Sequence, residues 1–206
     1  MARHFVLKYA DKYNVIVTDV MSSTASKNNL ACLNDKPNFR FVTCDIMDRE
    51  RILDILVRYD IHAIFHFAAE SHVQKSFNEP FAFTQMNVMG TQNLLEAMRT
   101  YGKIVRYVHA STDEVYGETK GLETDELALL SPTNPYASSK AAAEMYVMAY
   151  HRSFNIPALT LRCNNVFGPC QYPESESSQT KIQAGTLPLT SLLVVNSQSS
   201  CPNLLG

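Results

Sequence analysis

Glycine is scarce in this chain: there are seven among 206 residues, and none occurs before Gly90. That is about half the usual share, and it leaves residues 1–89 without a glycine-rich turn of the kind that admits a phosphate to the backbone. Tryptophan is absent. No apolar run approaches the ~20 residues of a membrane-spanning helix, and no signal-peptide core follows Met1-Ala-Arg-His. Neither sign of charge dominates, with 18 basic against 20 acidic residues and a net charge of −2. No basic field for nucleic acid or an anionic membrane is therefore expected. Five cysteines (32, 44, 163, 170 and 201) are odd in number and contain no Cys-x-x-Cys pair. They read as reduced thiols of a cytoplasmic protein rather than a disulfide framework or zinc site. His62, His66, His72 and His109 never share a metal-ligand spacing on one helix, so packing is their expected role and no metal is expected.

What is present is a regular alternation. Residues 3–12 read as a helix with Phe5 and Tyr9 at i, i+4. Val15-Ile-Val-Thr-Asp19 is a short apolar run ending in an acid, as in a buried parallel strand. Phe39-Arg-Phe-Val-Thr-Cys44 is a second strand, after which Asp48 caps a helix whose apolar face is Ile52, Leu53, Leu56 and Val57. Ala63–Ala69 and Ile104–Ser111 are strands flanking a helix over Phe83–Arg99, in which Met86, Met89 and Met98 read as core. An alanine-rich helix over Tyr136–Phe154 precedes a strand over Ala158–Arg162. Strands alternating with helices at this spacing predict an α/β fold, a doubly wound parallel sheet. Residues 1–174 form that unit, and 175–206 form an atypical tail. The tail holds seven serines, two charged residues (Glu176 and Lys181) and the β-prone segment Thr190–Val195, and is expected to be poorly ordered.

Asp19 ends its strand as a ribose-binding acid of a dinucleotide fold does, though the glycine loop that should lie about 20 residues upstream is missing. Tyr136-Ala-Ser-Ser-Lys140 sets a phenol and an ammonium at i, i+4 on one helix face, where the cation is expected to favour phenolate. Ser111-Thr-Asp-Glu-Val-Tyr-Gly117 lies at the carboxyl end of the fourth strand, where open parallel sheets bind ligands. A hydroxyl and two adjacent carboxylic acids there can orient a substrate hydroxyl and supply an acid and a base.

These residues carry a resemblance. Thr112-Asp-Glu-Val-Tyr-Gly117, Asn134-Pro-Tyr-Ala-Ser-Ser-Lys140 and His66-Phe-Ala-Ala-Glu-Ser-His72 resemble the extended short-chain dehydrogenase/reductase superfamily. Within it, the chain is similar to the nucleoside-diphosphate-glucose 4,6-dehydratases of dTDP-glucose or UDP-glucose type. Asn165-Val-Phe-Gly-Pro169 with Gln171-Tyr-Pro-Glu174 matches a further stretch of that family, and the resemblance covers about residues 2–174. It implies a Rossmann-like fold, NAD as cofactor, a nucleotide-sugar substrate and a homodimer. Tyr136 would take the 4-hydroxyl proton, Lys140 would lower the tyrosine pKa and hold the nicotinamide ribose, and Thr112 would orient the hydroxyl. Glu114 would remove the carbon-5 proton while Asp113 protonates the departing 6-hydroxyl. Asp19, Asp45, Ile46, Phe67, Ala68 and Ala69 match cofactor contacts, as Tyr136 and Lys140 also do; Ser71, Thr112 and Asn165 match substrate contacts.

The chain also departs from that family. Val20-Met-Ser-Ser replaces the usual segment after the ribose acid, Gln74 stands where aspartate is usual, and Phe167 replaces a tyrosine. The chain is expected to be shortened at both ends, losing the first strand, the glycine-rich loop and the substrate-binding region after Glu174. In the superfamily's sheet order that first strand is the central one, and the tail segment Thr190–Val195 either enters the open slot or stays unpaired and promotes aggregation. The second course is favoured, because an evolved strand matches its neighbours in register. Two other functions remain open: a UDP-glucuronate decarboxylase or 4-epimerase on the same scaffold, and a non-catalytic isoform or fragment.

Overall fold

Alternation within one strand sets the layering. In β1 (Tyr13–Asp19), Ile16 joins Ile52, Leu56, Ile64, Leu94 and Tyr107, whereas Val15 and Val17 join Val6, Phe39 and Ala110 in a second cluster. Successive side chains of a strand leave on opposite faces, so β1 is covered on both sides and buried from Val15 to Asp19. The computed structural model describes residues 2–21, 27–118, 124–166 and 191–197.

The remaining strands are β2 (Phe39–Thr43), β3 (Ala63–His66), β4 (Arg106–Thr112), β5 (Ala158–Cys163) and β6 (Ser191–Ser197). The helices are α1 (Ala2–Tyr9), α2 (Arg49–Arg58), α3 (Val73–Asn78), α4 (Pro80–Phe83), α5 (Gly90–Tyr101) and α6 (Pro135–Phe154). The sheet runs β2-β1-β6-β3-β4-β5. The β1–β2, β3–β4 and β4–β5 pairs are parallel, as the α/β reading requires. α2, α5 and α6 supply Ile52, Leu95 and Val147 to the cluster on one face, and Val6 of α1 belongs to the other.

The slot between β1 and β3 is not open. β6 lies in it antiparallel to both neighbours, with Ser191 opposite Asp19 and Ser197 opposite Tyr13. The favoured expectation of an unpaired segment is corrected at Ser191–Ser197. Two rows of backbone donors and acceptors border that gap, and a buried unmet group costs about 1–3 kcal/mol, so pairing in reverse direction outweighs the lack of a matched register. The rest of the tail, with Cys170, Cys201 and Phe167, lies outside the described residues.

Three local differences have physical causes. The helix expected to reach residue 12 ends at Tyr9, where Lys12 N–H donates to the Tyr9 carbonyl at 2.9 Å and turns the chain into β1. The long helix expected from Phe83 widens to a π-helical stretch over Thr84–Met89 before α5. The extra residue in that turn rotates the apolar face, leaving Met89 47% exposed while Met98 is buried. α3 was not foreseen; His72 caps it by accepting from Lys75 N–H at 3.2 Å. No described helix is long and apolar enough to cross a membrane.

Candidate active site

The carboxyl ends of the parallel strands carry nearly every residue singled out above. Asp19 ends β1, Asp45 and Ile46 follow β2, Phe67–Ala69 follow β3, and Thr112 ends β4. After Thr112 the chain makes a 3-10 turn over Asp113–Tyr116, capped by Thr112, whose Oγ1 accepts from Glu114 N–H at 3.2 Å and donates to Asp113 Oδ1 at 3.3 Å. The turn closes at Gly117, where φ is +76° and an added Cβ would lie 2.2 Å from the Ser131 carbonyl oxygen. Only glycine serves there.

α6 begins beside that turn. Asn134 caps it, its Oδ1 accepting from Ala137 N–H at 2.8 Å, and its Nδ2 donates to Glu114 Oε2 at 2.9 Å. Tyr136, in the first turn, hydrogen-bonds Thr112 and feels the charges of Glu114 and Asp113. Burial first, then the Glu114 charge, pushes its phenol up to about 12, with the Thr112 bond opposing. Lys140 is buried at 4% exposure and donates to the Ala110 carbonyl at 2.6 Å; burial brings its ammonium down to about 8. The expected lowering of the Tyr136 pKa by Lys140 is therefore corrected. Lys140 is near in sequence, but its ammonium is bound to a β4 carbonyl and is not among the groups that move the phenol.

A cleft of about 710 Å³ opens beside these groups, lined by Asp113, Glu114, Tyr116, Glu126, Arg162 and Asn164 among others. Arg162 is fixed at its wall. Its guanidinium donates to buried Glu144 at 2.8 Å, to the Tyr116 hydroxyl at 2.6 Å and to the Glu126 carbonyl at 3.0 Å. Asn164 rather than Asn165 lines the cleft; Asn165 is exposed, its N–H held by the Asn164 side chain at 2.6 Å. Ser71 is half-buried and is not part of this lining. Burial and Asp113 push the Cys163 thiol up, away from thiolate.

The other group of expected residues divides. Asp45, Ile46 and Ala68 meet with Thr18, Cys44 and Met86 around a cavity of about 20 Å³. Gly90 packs so close that a Cβ there would come within 2.7 Å of Ile46 Cγ2. Asp19 is buried at the head of β1, its Oδ1 accepting from Met21 N–H at 2.7 Å. Phe67 packs instead in the cluster of Val15, Val17 and Ala110, and Ala69 is buried.

Three residues were given no role by the sequence. Asn87, buried in the π-helical stretch, accepts from Glu70 N–H at 2.8 Å and donates to the Glu70 carbonyl and to Ser139 Oγ. It ties the loop after β3 to α6, and its one signal was an amide inside an apolar helix. Glu144 and Arg162 form the other pair, which distance in sequence concealed.

Sheet, strand-end site and tyrosine–lysine helix together define an α/β protein of the extended short-chain dehydrogenase/reductase class. The GDP-mannose 4,6 dehydratase family model matches residues 2–191, and the chain belongs to that family. It is 45% identical over 177 residues to a trifunctional UDP-glucose 4,6-dehydratase/UDP-4-keto-6-deoxy-D-glucose 3,5-epimerase/UDP-4-keto-L-rhamnose-reductase of Arabidopsis thaliana, covering 84% of this chain and 26% of that one. The dTDP-glucose 4,6-dehydratase of Streptomyces venezuelae, crystallised with NAD and TYD bound, superimposes with a TM-score of 0.78 at 40% identity, covering 84% of this chain and 55% of that one. A UDP-N-acetylglucosamine 4-epimerase of Methanobrevibacter ruminantium gives a TM-score of 0.78 at 31% identity, with 86% and 56% covered. The chain thus spans about a quarter of the plant protein and just over half of each crystallised one.

Proposed function

We propose that the chain acts as the cofactor and catalytic part of an NAD-dependent nucleoside-diphosphate-glucose 4,6-dehydratase, a lyase yielding the 4-keto-6-deoxy sugar and water. The observation that supports this most is the meeting of Thr112, Asp113 and Glu114 with Tyr136, with Asp113 and Glu114 lining one polar cleft. Asp19, Asp45 and Ile46, at the carboxyl ends of β1 and β2, would hold one end of NAD, and Tyr136 and Lys140 the other. Bound there, NAD would supply a hydride acceptor for carbon 4 of the sugar and, once reduced, a hydride donor for carbon 6.

The chain's own residues handle protons. Thr112 holds the 4-hydroxyl, and Tyr136 receives its proton as the carbon–hydrogen bond breaks. With its pKa pushed up to about 12 the phenol is neutral at pH 7 and takes no proton in that form, so substrate and cofactor must favour its phenolate when they bind. The 4-ketone acidifies carbon 5; Glu114 takes that proton, Asp113 gives one to the 6-hydroxyl, and water leaves. Glu114 then returns a proton to carbon 5, and one water is lost in sum. The same reading places the protein in the cytoplasm and as a homodimer. Met145, Tyr146 and Phe154 of α6 and Phe81 of α4 are among the exposed apolar residues that such an interface could cover. A 4-epimerase or UDP-glucuronate decarboxylase is disfavoured by the Asp113–Glu114 pair, since an epimerase has no water to eliminate.

Incubation with NAD and either dTDP-glucose or UDP-glucose in deuterated water, followed by proton NMR, tests the reading. A methyl group at carbon 6 with deuterium at carbon 5 is expected, lost entirely in Tyr136→Phe. Glu114→Gln should oxidise carbon 4 without exchanging the carbon-5 proton; exchange at the unsubstituted rate would show that the role is misassigned. Absence of product with either nucleotide leaves the non-catalytic reading.

A further inference from the structure

Asn134 uses both ends of its side-chain amide. Oδ1 accepts from Ala137 N–H at 2.8 Å, and Nδ2 donates to Glu114 Oε2 at 2.9 Å. We infer that Asn134 is a positioning residue, fixing the Glu114 carboxylate against the helix that carries Tyr136 and Lys140.

Capping alone does not account for asparagine here. The cap needs only an acceptor, which serine, threonine and aspartate supply about as well. Serine and threonine have no second arm to reach a carboxylate, and aspartate would present an anion to it. Asparagine alone among the good caps accepts from the helix and donates to a neighbouring acid at once. The backbone keeps the amide from swinging away. Pro135 restricts the residue before it to extended conformations, and Asn134 sits at φ −139°, ψ 162°, with its carbonyl accepting from Ser138 N–H at 2.9 Å.

The bridge joins two elements that the reaction needs in register. The 3-10 turn brings Glu114 from β4, and α6 brings Tyr136 and Lys140. One oxygen of Glu114 is held by Asn134 on the protein side, and the residue lines the cleft. The proton-accepting oxygen is then Oε1, with a fixed bearing on the substrate. The other charged or titratable groups around Glu114 are Asp113 and Tyr116 on its own turn, Tyr136 on α6, Arg162 on β5, and Glu126 across the cleft.

The role of Glu114 as base rests on the dehydratase reading, so the test is read without turnover. The whole chain, labelled with 13C at glutamate carboxyl carbons and with Glu114→Gln to assign the signal, is compared at neutral pH with Asn134→Ser and Asn134→Asp. Both variants keep a good cap and should melt within about 3 °C of the unsubstituted chain. The Glu114 carboxyl resonance should move in Asn134→Ser, where its donor is lost, and further in Asn134→Asp, where like charges also meet. An unmoved resonance in both variants overturns the inference and leaves a cap. Loss of the melting transition in Asn134→Ser also overturns it, because the amide would then serve the fold rather than Glu114. An inactive chain with the expected resonance changes counts against the dehydratase reading alone.

Discussion

His66 and His109 face one another across β3 and β4 with ring centres 5.3 Å apart, both buried. His66 Nε2 meets Thr91 Oγ1 at 3.0 Å and His109 Nδ1 meets the Tyr107 hydroxyl at 3.2 Å, while the other nitrogen of each ring has no partner among the described residues. Burial, helped by the Lys140 charge, brings His66 down to about 3 and His109 well below its ordinary value. Both rings are neutral in the fold, whereas an unfolded chain protonates them near 6.5. The unfolded state therefore binds more protons below that value. The stabilisation is complete above pH 6.5 and is lost as pH falls toward 3, by roughly 5 kcal/mol for His66 over that span. Thermal melts at stepped pH should show a falling melting temperature from 6.5 downward, with a flatter slope in His66→Gln. An unchanged slope would mean that the ring takes a proton without leaving the core.

At the scale of elements, the five strands of the parallel layer could be read from the chain because each is a short apolar run bounded by polar turns. α1, α2 and α5 each showed a periodic face or a cap, as Asp48 does by accepting from Arg51 N–H at 2.9 Å, and α6 showed its alanine content. The π-helical stretch and α3 were not legible, since neither a widened turn nor a six-residue helix leaves a periodic trace. Tyr136, Lys140, Thr112 and Glu114 were legible as a motif. The withdrawal of Lys140 to the Ala110 carbonyl was not, because burial depends on the packed strand beneath it. β6 is the element whose composition allowed two outcomes, and its pairing with both β1 and β3 implies a deletion experiment. Removing residues 187–206 should lower solubility and abolish the cooperative melting transition. A more soluble chain that still melts cooperatively would show that Ser191–Ser197 is dispensable.

For the molecule as a whole, the dinucleotide site is uneven. The two ends have side chains to offer, yet residues 1–89 contain no glycine with which to bring backbone N–H groups against a pyrophosphate. The strand at the middle of the sheet also runs with Ser191, its first residue, at the ligand edge. A parallel strand there would lead through its carboxyl end into a helix N-terminus, which is where such folds hold the phosphates. Isothermal titration of the chain with NAD should accordingly give a dissociation constant in the high micromolar range or weaker. Low-micromolar binding would require phosphate contacts of another origin.

The place of β6 also orders the assembly of the fold in time. β1 pairs with β2, and β3 with β4 and β5, so the sheet is made of two blocks joined only through β6. Ser191 finds Asp19 across almost the whole length of the chain, a contact of the most non-local kind. Loop closure over that distance comes late and slowly. During synthesis both blocks emerge with a bare edge turned toward the other, and they stay so until Ser191–Ser197 leaves the ribosome. Of the six strands described, the one between the two blocks is the last to be made.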